Sequence, residues 1–169
     1  MARISSKSLA ASYLTAVAGF VFLGMASPGR AEDAQVKVTV VVILATDKNK
    51  SVDKQLECIA KEVQKAEPGL TGFRLEKITR QSLKIGEKEK FQLVDDEVAT
   101  ILVRHGPNEK NRVGLTVKAP HQGNVVYTTC CGKFFPIMTR YQTMNDERLI
   151  IAVRVQPCKV EDADEKEKP

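Results

Sequence analysis

The feature that most constrains the fold is a β-branched run at residues 36–45, V-K-V-T-V-V-V-I-L-A. Its first half alternates valine with polar residues, and its second half is apolar at every position. Alternation is typical of a strand with one solvated face, whereas a continuous apolar run indicates a strand covered on both faces. The run therefore predicts a strand whose second half is central in a sheet, and its valines make a helix the weaker interpretation.

A single amphipathic helix is predicted at residues 51–66. Ser51 or Asp53 can cap its start, and Pro68 with Gly69 ends it. A helix with one apolar stripe has to cover another element, and a sheet is the available partner. The residues that share the stripe at helical spacing are Val52, Leu56, Ile59, Ala60 and Val63.

The rest of the chain consists of short β-rich segments separated by turn residues, a pattern that favours an antiparallel sandwich or barrel. Residues 82–85 and 91–94 flank a charged turn with one glycine and predict a hairpin. The predicted fold class is α+β, with one amphipathic helix packed on a mostly antiparallel sheet. Its order is a β-α-β start followed by a β-meander, and it is sandwich-like. The other predicted strands are residues 70–78, 98–104, 113–117, 125–131 and 148–155.

The first 31 residues have the composition of a secretory signal peptide. They contain no acidic residue, a basic start at Arg3 and Lys7, an apolar middle and small residues at the end. Cleavage is predicted after Ala31, with Ala26 as an alternative site and a retained membrane anchor as the alternative interpretation. The sequence thus predicts an exported protein of the periplasm, cell surface or extracellular space, with no stable membrane insertion after cleavage.

Charge narrows the classes of partner. The 169-residue chain has a net charge of +5, but removing 31 residues takes away three basic side chains and leaves 138 residues at +2. Nucleic-acid binding needs a basic patch or stripe, so no nucleic-acid partner is predicted. Residues 32–158 are predicted to form a single domain. Residues 159–169, with five acids and three bases, are predicted to be a disordered charged tail.

The cysteines are candidate disulfide partners because export leads to an oxidising compartment. They are Cys58, Cys130, Cys131 and Cys158. On a strand, Cys130 and Cys131 point to opposite faces, so Cys58 and Cys158 can each pair with one of them. Free buried thiols are one alternative, and a redox or soft-metal site at the adjacent pair, with a histidine close by, is another. The C-x-x-C spacing of thioredoxin-like and zinc sites is absent.

The most unusual segment is residues 133–141, K-F-F-P-I-M-T-R-Y. Pro136 removes a ladder donor, which predicts an edge strand or a loop. Aromatic and methionine side chains on an exposed edge are typical of a protein-binding surface, so Phe134, Phe135, Met138 and Tyr141 are the candidate partner surface. The competing interpretation, which we favour, is that the phenylalanines fill the open end of the sheet as core residues.

The sequence contains no catalytic or cofactor motif. His105 and His121 both lie in predicted turns, where isolated histidines are usually solvated. Asp95, Asp96 and Glu97 are adjacent and lack the spaced oxygen ligands of a calcium loop. No phosphate-binding loop, G-x-S-x-G elbow or H-E-x-x-H helix is present. We therefore predict no cofactor and no catalytic residues, and we favour a non-enzymatic role over an enzymatic one.

These features together resemble small secreted proteins found in planctomycete-type and delta-proteobacterial genomes. The resemblance covers most of residues 36–155 and implies the fold and export, but the family has no established activity to transfer. The adjacent cysteines depart from its pattern, in which that stretch is glycine-rich. The residues that carry it, besides the signal peptide and the valine run, are Val52-Asp53, Phe73-Arg74-Leu75, Phe134-Phe135, Arg140-Tyr141 and Arg148-Leu149-Ile150-Ile151-Ala152.

Two hypotheses for function follow. The first is an exported, non-enzymatic binding or assembly module whose partner is another exported protein. The second is a thiol-redox or metal-handling protein that uses the Cys130-Cys131 pair.

Overall fold

The computed structural model describes residues 35–157. The predicted signal peptide, the predicted tail and Cys158 lie outside the described residues. Within them, eight strands and one short helix follow one another. In chain order the elements are β1 (Gln35–Thr46), a 3₁₀ turn (Lys54–Leu56), α1 (Glu57–Ala66), β2 (Gly72–Lys84), β3 (Lys88–Gln92), β4 (Val98–His105), β5 (Arg112–Ala119), β6 (Gly123–Cys130), β7 (Phe134–Gln142) and β8 (Arg148–Pro157).

The strands form two four-stranded sheets. Sheet A has the order β2-β1-β8-β7, and sheet B has the order β3-β4-β5-β6. Every pair of neighbouring strands is antiparallel. The expectation of a mostly antiparallel fold with one helix is therefore confirmed, and sheet B is a β-meander. No helix within residues 35–157 has the length and apolarity needed to cross a membrane.

Two apolar clusters hold three layers together. The inner core lies between the sheets and includes Val38, Val40 and Val42 of β1 together with residues of β4, β5 and β8. The outer core lies between α1 and sheet A and includes Ile43 of β1 and Ile59 of α1. Since successive strand residues point to opposite faces, β1 supplies both cores. The prediction that its second half is covered on both sides is confirmed.

The predicted β-α-β start is not confirmed. β1 and β2 flank α1 in the sequence, but they are adjacent antiparallel strands. Within residues 35–157 the only parallel pairing around the helix is an isolated bridge, not a pair of strands. Val52, before the helix, bridges Phe73 at the start of β2, and Glu67, after the helix, pairs with Arg148 at the start of β8. The chain thus leaves and re-enters sheet A at the same end, which makes β2 run opposite to β1.

The helix also begins later than predicted. The prediction started it at Ser51, whereas the α-helix begins at Glu57 after a 3₁₀ turn. Ser51 accepts a backbone hydrogen bond from Phe73, and the Asp53 carboxylate accepts one from the Leu75 N–H at 2.7 Å. Both candidate capping residues are therefore used to dock the chain against β2.

The predicted hairpin of residues 82–85 with 91–94 is wrong. Residues 82–84 are the end of the thirteen-residue strand β2 in sheet A, whereas β3 belongs to sheet B and pairs with β4. The turn at Gly86, which has a φ of 82°, carries the chain from one sheet to the other. The other predicted strands correspond to β2, β4, β5, β6 and β8.

Candidate binding surface

The four residues of the predicted partner surface lie in different environments. Phe134 and Met138 pack against the outer core beneath α1. Tyr141 packs against the inner core, and its hydroxyl donates a hydrogen bond to Asp95 at 2.8 Å. Only Phe135 counts as exposed, with 36% of its surface accessible. The segment therefore mainly supplies core area, and Phe135 alone is left as a contact residue.

The segment is nevertheless an edge strand, as Pro136 indicated. β7 is the last strand of sheet A, and Pro136 lies opposite Ala152 of β8. The Phe135 ring stacks on Tyr127 of β6 with centroids 4.1 Å apart and planes 18° apart. The stack places the outer edges of the two sheets side by side along one flank of the sandwich.

The four edge strands differ in how they are protected against pairing with another chain. β2 carries five charged residues, and the short β3 has three charged residues among five. β7 carries Pro136 and Arg140 and has an irregular register between Met138 and Gln142. Charge, proline, bulges and short length are the usual protections of an exposed edge. The eight residues of β6, G-N-V-V-Y-T-T-C, include none of these.

The ladder shows which backbone groups of β6 are free. Cys131 N–H donates to Asn111 C=O at 3.0 Å, directly beyond the last β5–β6 pair. Because hydrogen-bonded pairs alternate along an antiparallel ladder, the odd-numbered residues of β6 bond to β5. The even-numbered residues Asn124, Val126 and Thr128 then direct their N–H and C=O groups to the open side. No strand within residues 35–157 pairs there.

The outer face of sheet B is also uncovered by any element of residues 35–157, because α1 packs only on sheet A. Val126, in the middle of β6, is 57% exposed, and Asn124 and Thr128 on the same face are exposed as well. On the inner side, Tyr127 packs against the inner core, and its hydroxyl is buried with no hydrogen-bond partner in the described part of the chain. Burial raises the pKa of Tyr127 above its ordinary value.

The sequence analysis missed this edge, although a signal for it was present. Residues 120–132, P-H-Q-G-N-V-V-Y-T-T-C-C-G, contain no lysine, arginine, aspartate or glutamate. In a chain with 28% charged residues such a stretch stands out, and its β-branched centre fits a strand. Whether the strand lies at an edge depends on the sheet order, which only the structure provides.

Cys130 is the last residue of β6, and Cys131 lies in the turn that joins β6 to β7. Gly132 adopts a φ of 87°, and its N–H donates to Val155 of β8 at 2.8 Å. Cys131 packs against the inner core, and burial, followed by the neighbouring Cys130, raises the pKa of its thiol. Cys58 of α1 is exposed and lines a surface depression together with Gly132 and the start of β7.

Cys58, Cys130 and Cys131 are free thiols, so no disulfide joins the cysteines of the described part. Cys158 lies outside the described residues, and the predicted pairing stays a prediction. No group of three or more histidine, cysteine, aspartate or glutamate side chains within residues 35–157 is placed to hold a metal ion.

Polar side chains from two turns and from the end of β7 meet at the opposite end of the sandwich. The His121 Nε2 atom lies 3.3 Å from Glu97, and its ring centroid lies 5.5 Å from that of Tyr141. Tyr141 in turn bonds to Asp95, and this hydrogen bond is the main reason why the pKa of Tyr141 is raised. No spacing in the sequence indicates this group, because its members come from three distant segments. His105 instead lies directly over Gly114, where a side chain would collide with the imidazole.

A cleft of about 530 Å³ opens beside this group, between β2 and the β7–β8 turn. Three of its charged side chains form ion pairs, since Arg74 pairs with Glu147 at 2.9 Å and also contacts Glu76. The hydrogen bond with Glu147 is the main cause that raises the pKa of Arg74. The arginine and the two glutamates of the cleft are therefore matched with one another, whereas Lys77 lines it without an ion-pair partner among residues 35–157.

Comparison with known proteins adds no assignment. No family model, no curated protein and no solved structure matches the chain. The resemblance to small secreted proteins therefore stays a prediction, and functional inference depends on the geometry alone.

Proposed function

We propose that this chain is an exported, non-enzymatic binding or assembly module that acts by strand addition at the open edge of β6. The observation that carries the proposal is the combination of an unpaired ladder and an unprotected strand. Asn124, Val126 and Thr128 direct outward backbone groups that no strand of residues 35–157 pairs, and no charge, proline or bulge in β6 hinders a further strand. Export rests on the composition of residues 1–31.

Strand addition fits the chemistry of this edge. An incoming extended segment would gain main-chain hydrogen bonds from β6 and apolar contact with Val126 on the outer face of sheet B. The exposed Phe135, stacked on Tyr127, lies beside the same edge and offers further apolar contact. A six-residue segment such as N-V-V-Y-T-T, uncharged and rich in β-formers, is an aggregation hazard if it remains unpaired. A partner would remove that hazard.

Site-specific photocrosslinking tests the proposal. The full chain is exported with Thr128 replaced by photoreactive benzoylphenylalanine. A matched variant has the same group at Gln81, an exposed residue on the edge strand β2. We expect a light-dependent adduct from position 128 and none from position 81, with the adduct identified by mass. The absence of an adduct at 128, or equal adducts from both positions, would contradict the proposal.

A second candidate function is a thiol-redox or metal-handling role for Cys130 and Cys131. Two observations favour it. The two cysteines are adjacent and half-buried, and Cys130 contributes to the raised pKa of Cys131. The exposed Cys58 lies near the same turn. Intact-mass measurement of alkylated exported protein, with and without reductant, tests it. Accessible thiols that oxidise reversibly, or a retained metal mass, would support this role. A fully bridged protein that resists reductant would exclude it.

A further inference from the structure

We propose that the strand added to β6 is β6 of a second copy of this chain, so that two sheets B join into one antiparallel eight-stranded sheet. This inference rests on the proposed function, because it names the partner of the same edge. The two copies would be related by a two-fold axis, and each would contribute the same surface.

The charge pattern favours a second copy. Across a two-fold axis every side chain near the centre meets its own symmetry mate or a close neighbour, so a charged edge would face like charge. Two copies of β2, each with four cations and one anion, would bring a net charge of +3 against an equal one. β6 and the turns on both sides of it are free of lysine, arginine, aspartate and glutamate from residue 120 to residue 132. Self-pairing of β6 therefore meets no charge repulsion.

The directions of the free backbone groups fix the register. Since the even-numbered residues face the open side, a hydrogen-bonded antiparallel pair has to align even residues with even residues. With the axis at the middle of the strand, Val126 lies opposite Val126 of the second copy, and Asn124 lies opposite its Thr128. Val126 is the most exposed apolar side chain of β6, and Val126 of the second copy would then cover it. On each side of it, an amide would meet a hydroxyl that can accept or donate a hydrogen bond.

The same register brings inner-face side chains together. Tyr127 would lie opposite Val125 of the second copy, and both residues already pack against the inner core of their own domain. Phe135, which stacks on Tyr127, would lie next to the seam and lose part of its exposed surface. One strand pair and these few apolar contacts make a small interface. We therefore expect a reversible dimer that dissociates on dilution.

Sedimentation velocity of the purified exported protein in reductant, across a wide concentration range, tests the inference. We expect a shift from monomer to dimer as concentration rises. Val126→Pro removes the free N–H without removing a bond to β5 and should leave only monomer. Val126→Thr keeps the N–H and serves as the matched control, which should still dimerise. Circular dichroism and urea denaturation verify that each variant is folded.

A charge exchange tests the register even if Val126→Pro fails to fold. Asn124→Lys with Thr128→Lys places like charges across both flanking pairs, and Asn124→Glu with Thr128→Glu does the same with the opposite sign. Each double variant alone should be monomeric, and an equimolar mixture should give a dimer that contains one copy of each. A mixture that stays monomeric while the unmodified protein dimerises would overturn the register.

The crosslinking result separates this inference from the proposed function. An adduct at position 128 with the mass of two copies supports both. An adduct with a different exported protein, together with monomer at every concentration, overturns the second-copy inference and leaves strand addition intact. No adduct at position 128 and no dimer would overturn both.

Discussion

The two sheets of this domain have the same number of strands but differ in how their outer faces are covered. Sheet A is covered by α1, and its central strands β1 and β8 bury side chains on both sides. Among residues 35–157 no element covers the outer face of sheet B, and β4 there alternates buried with exposed or half-buried residues from Val98 to Arg104. The contrast appears in the sequence as continuous apolar runs in β1 and β8 against alternation in β5. A covering element thus determines the composition of the strand beneath it.

The largest effect should come from removing a side chain from the covered face. Ile43 is completely buried between sheet A and α1, so Ile43→Ala should lower the free energy of unfolding by about 2–5 kcal/mol. Thr116 occupies the outer face of the central strand β5 of sheet B and is half-buried. Thr116→Ala should therefore change the free energy of unfolding by no more than about 0.5 kcal/mol. Urea denaturation measures both. Equal losses would mean that the outer face of sheet B is covered as well.

The next largest loss of stability should come from the contact that holds the segment before α1 against sheet A. The Asp53 carboxylate accepts a hydrogen bond from the Leu75 N–H on the edge strand of sheet A. Asp53→Ala removes this acceptor and should lower the free energy of unfolding by about 1 kcal/mol, because the contact is charge-assisted but exposed. Asp53→Asn keeps an oxygen in place and should lose less. If Asp53→Ala has no effect, the hydrogen bond is not what docks the segment before α1.

That hydrogen bond also shows where prediction from sequence stops. The pattern of residues 40–45 was sufficient to identify a doubly covered strand, because period and burial are local properties of the chain. Ser51 and Asp53 have the local chemistry of helix caps, but their partners are Phe73 and Leu75, about twenty residues away in sequence. A competing long-range contact overrides a local preference, and no spacing rule reveals it.

The same limit explains the wrong hairpin and the missed edge. Residues 82–94 have two β-rich segments and a glycine turn, which is what a hairpin requires locally, but the two segments pair in different sheets. The uncharged run around Val126 was visible in the sequence. Its meaning depends on β6 being last in its sheet, which follows from the pairing of all other strands.

The cysteines allow the two sheets to be compared chemically. Cys58, on the helix that covers sheet A, is exposed, whereas Cys131 packs against the inner core at the end of sheet B and has a raised pKa. Because the thiolate is the reactive form, fully reduced protein should be alkylated faster at Cys58 than at Cys131. Quenched time points followed by peptide mass mapping measure the order. Alkylation of Cys131 at the rate of Cys58 would contradict the burial of its thiol.

The smallest effect is on the pH dependence of stability. It depends on the different surroundings of two tyrosines. After removal of residues 1–31 the only tyrosines are Tyr127 and Tyr141, and the chain has no tryptophan, so tyrosinate absorbance reports on these two groups. Both pKa values are raised, that of Tyr127 by burial and that of Tyr141 first by its hydrogen bond to Asp95. Unfolded tyrosine ionises near pH 10. The folded protein should therefore show little tyrosinate at that pH.

The sign of the stability change follows from these directions. A raised folded pKa means that the unfolded chain releases its proton first, so the contribution is complete below about pH 10 and is lost as the pH rises through the folded value. Asp95→Asn should lower the pKa of Tyr141 and leave that of Tyr127 unchanged, since no carboxylate contributes to the latter. Tyr127→Phe removes a buried hydroxyl without a partner in the described chain, so at neutral pH it should not destabilise the fold. A destabilised Tyr127→Phe variant would show that the hydroxyl has a partner, which the seam between two copies of β6 could then supply.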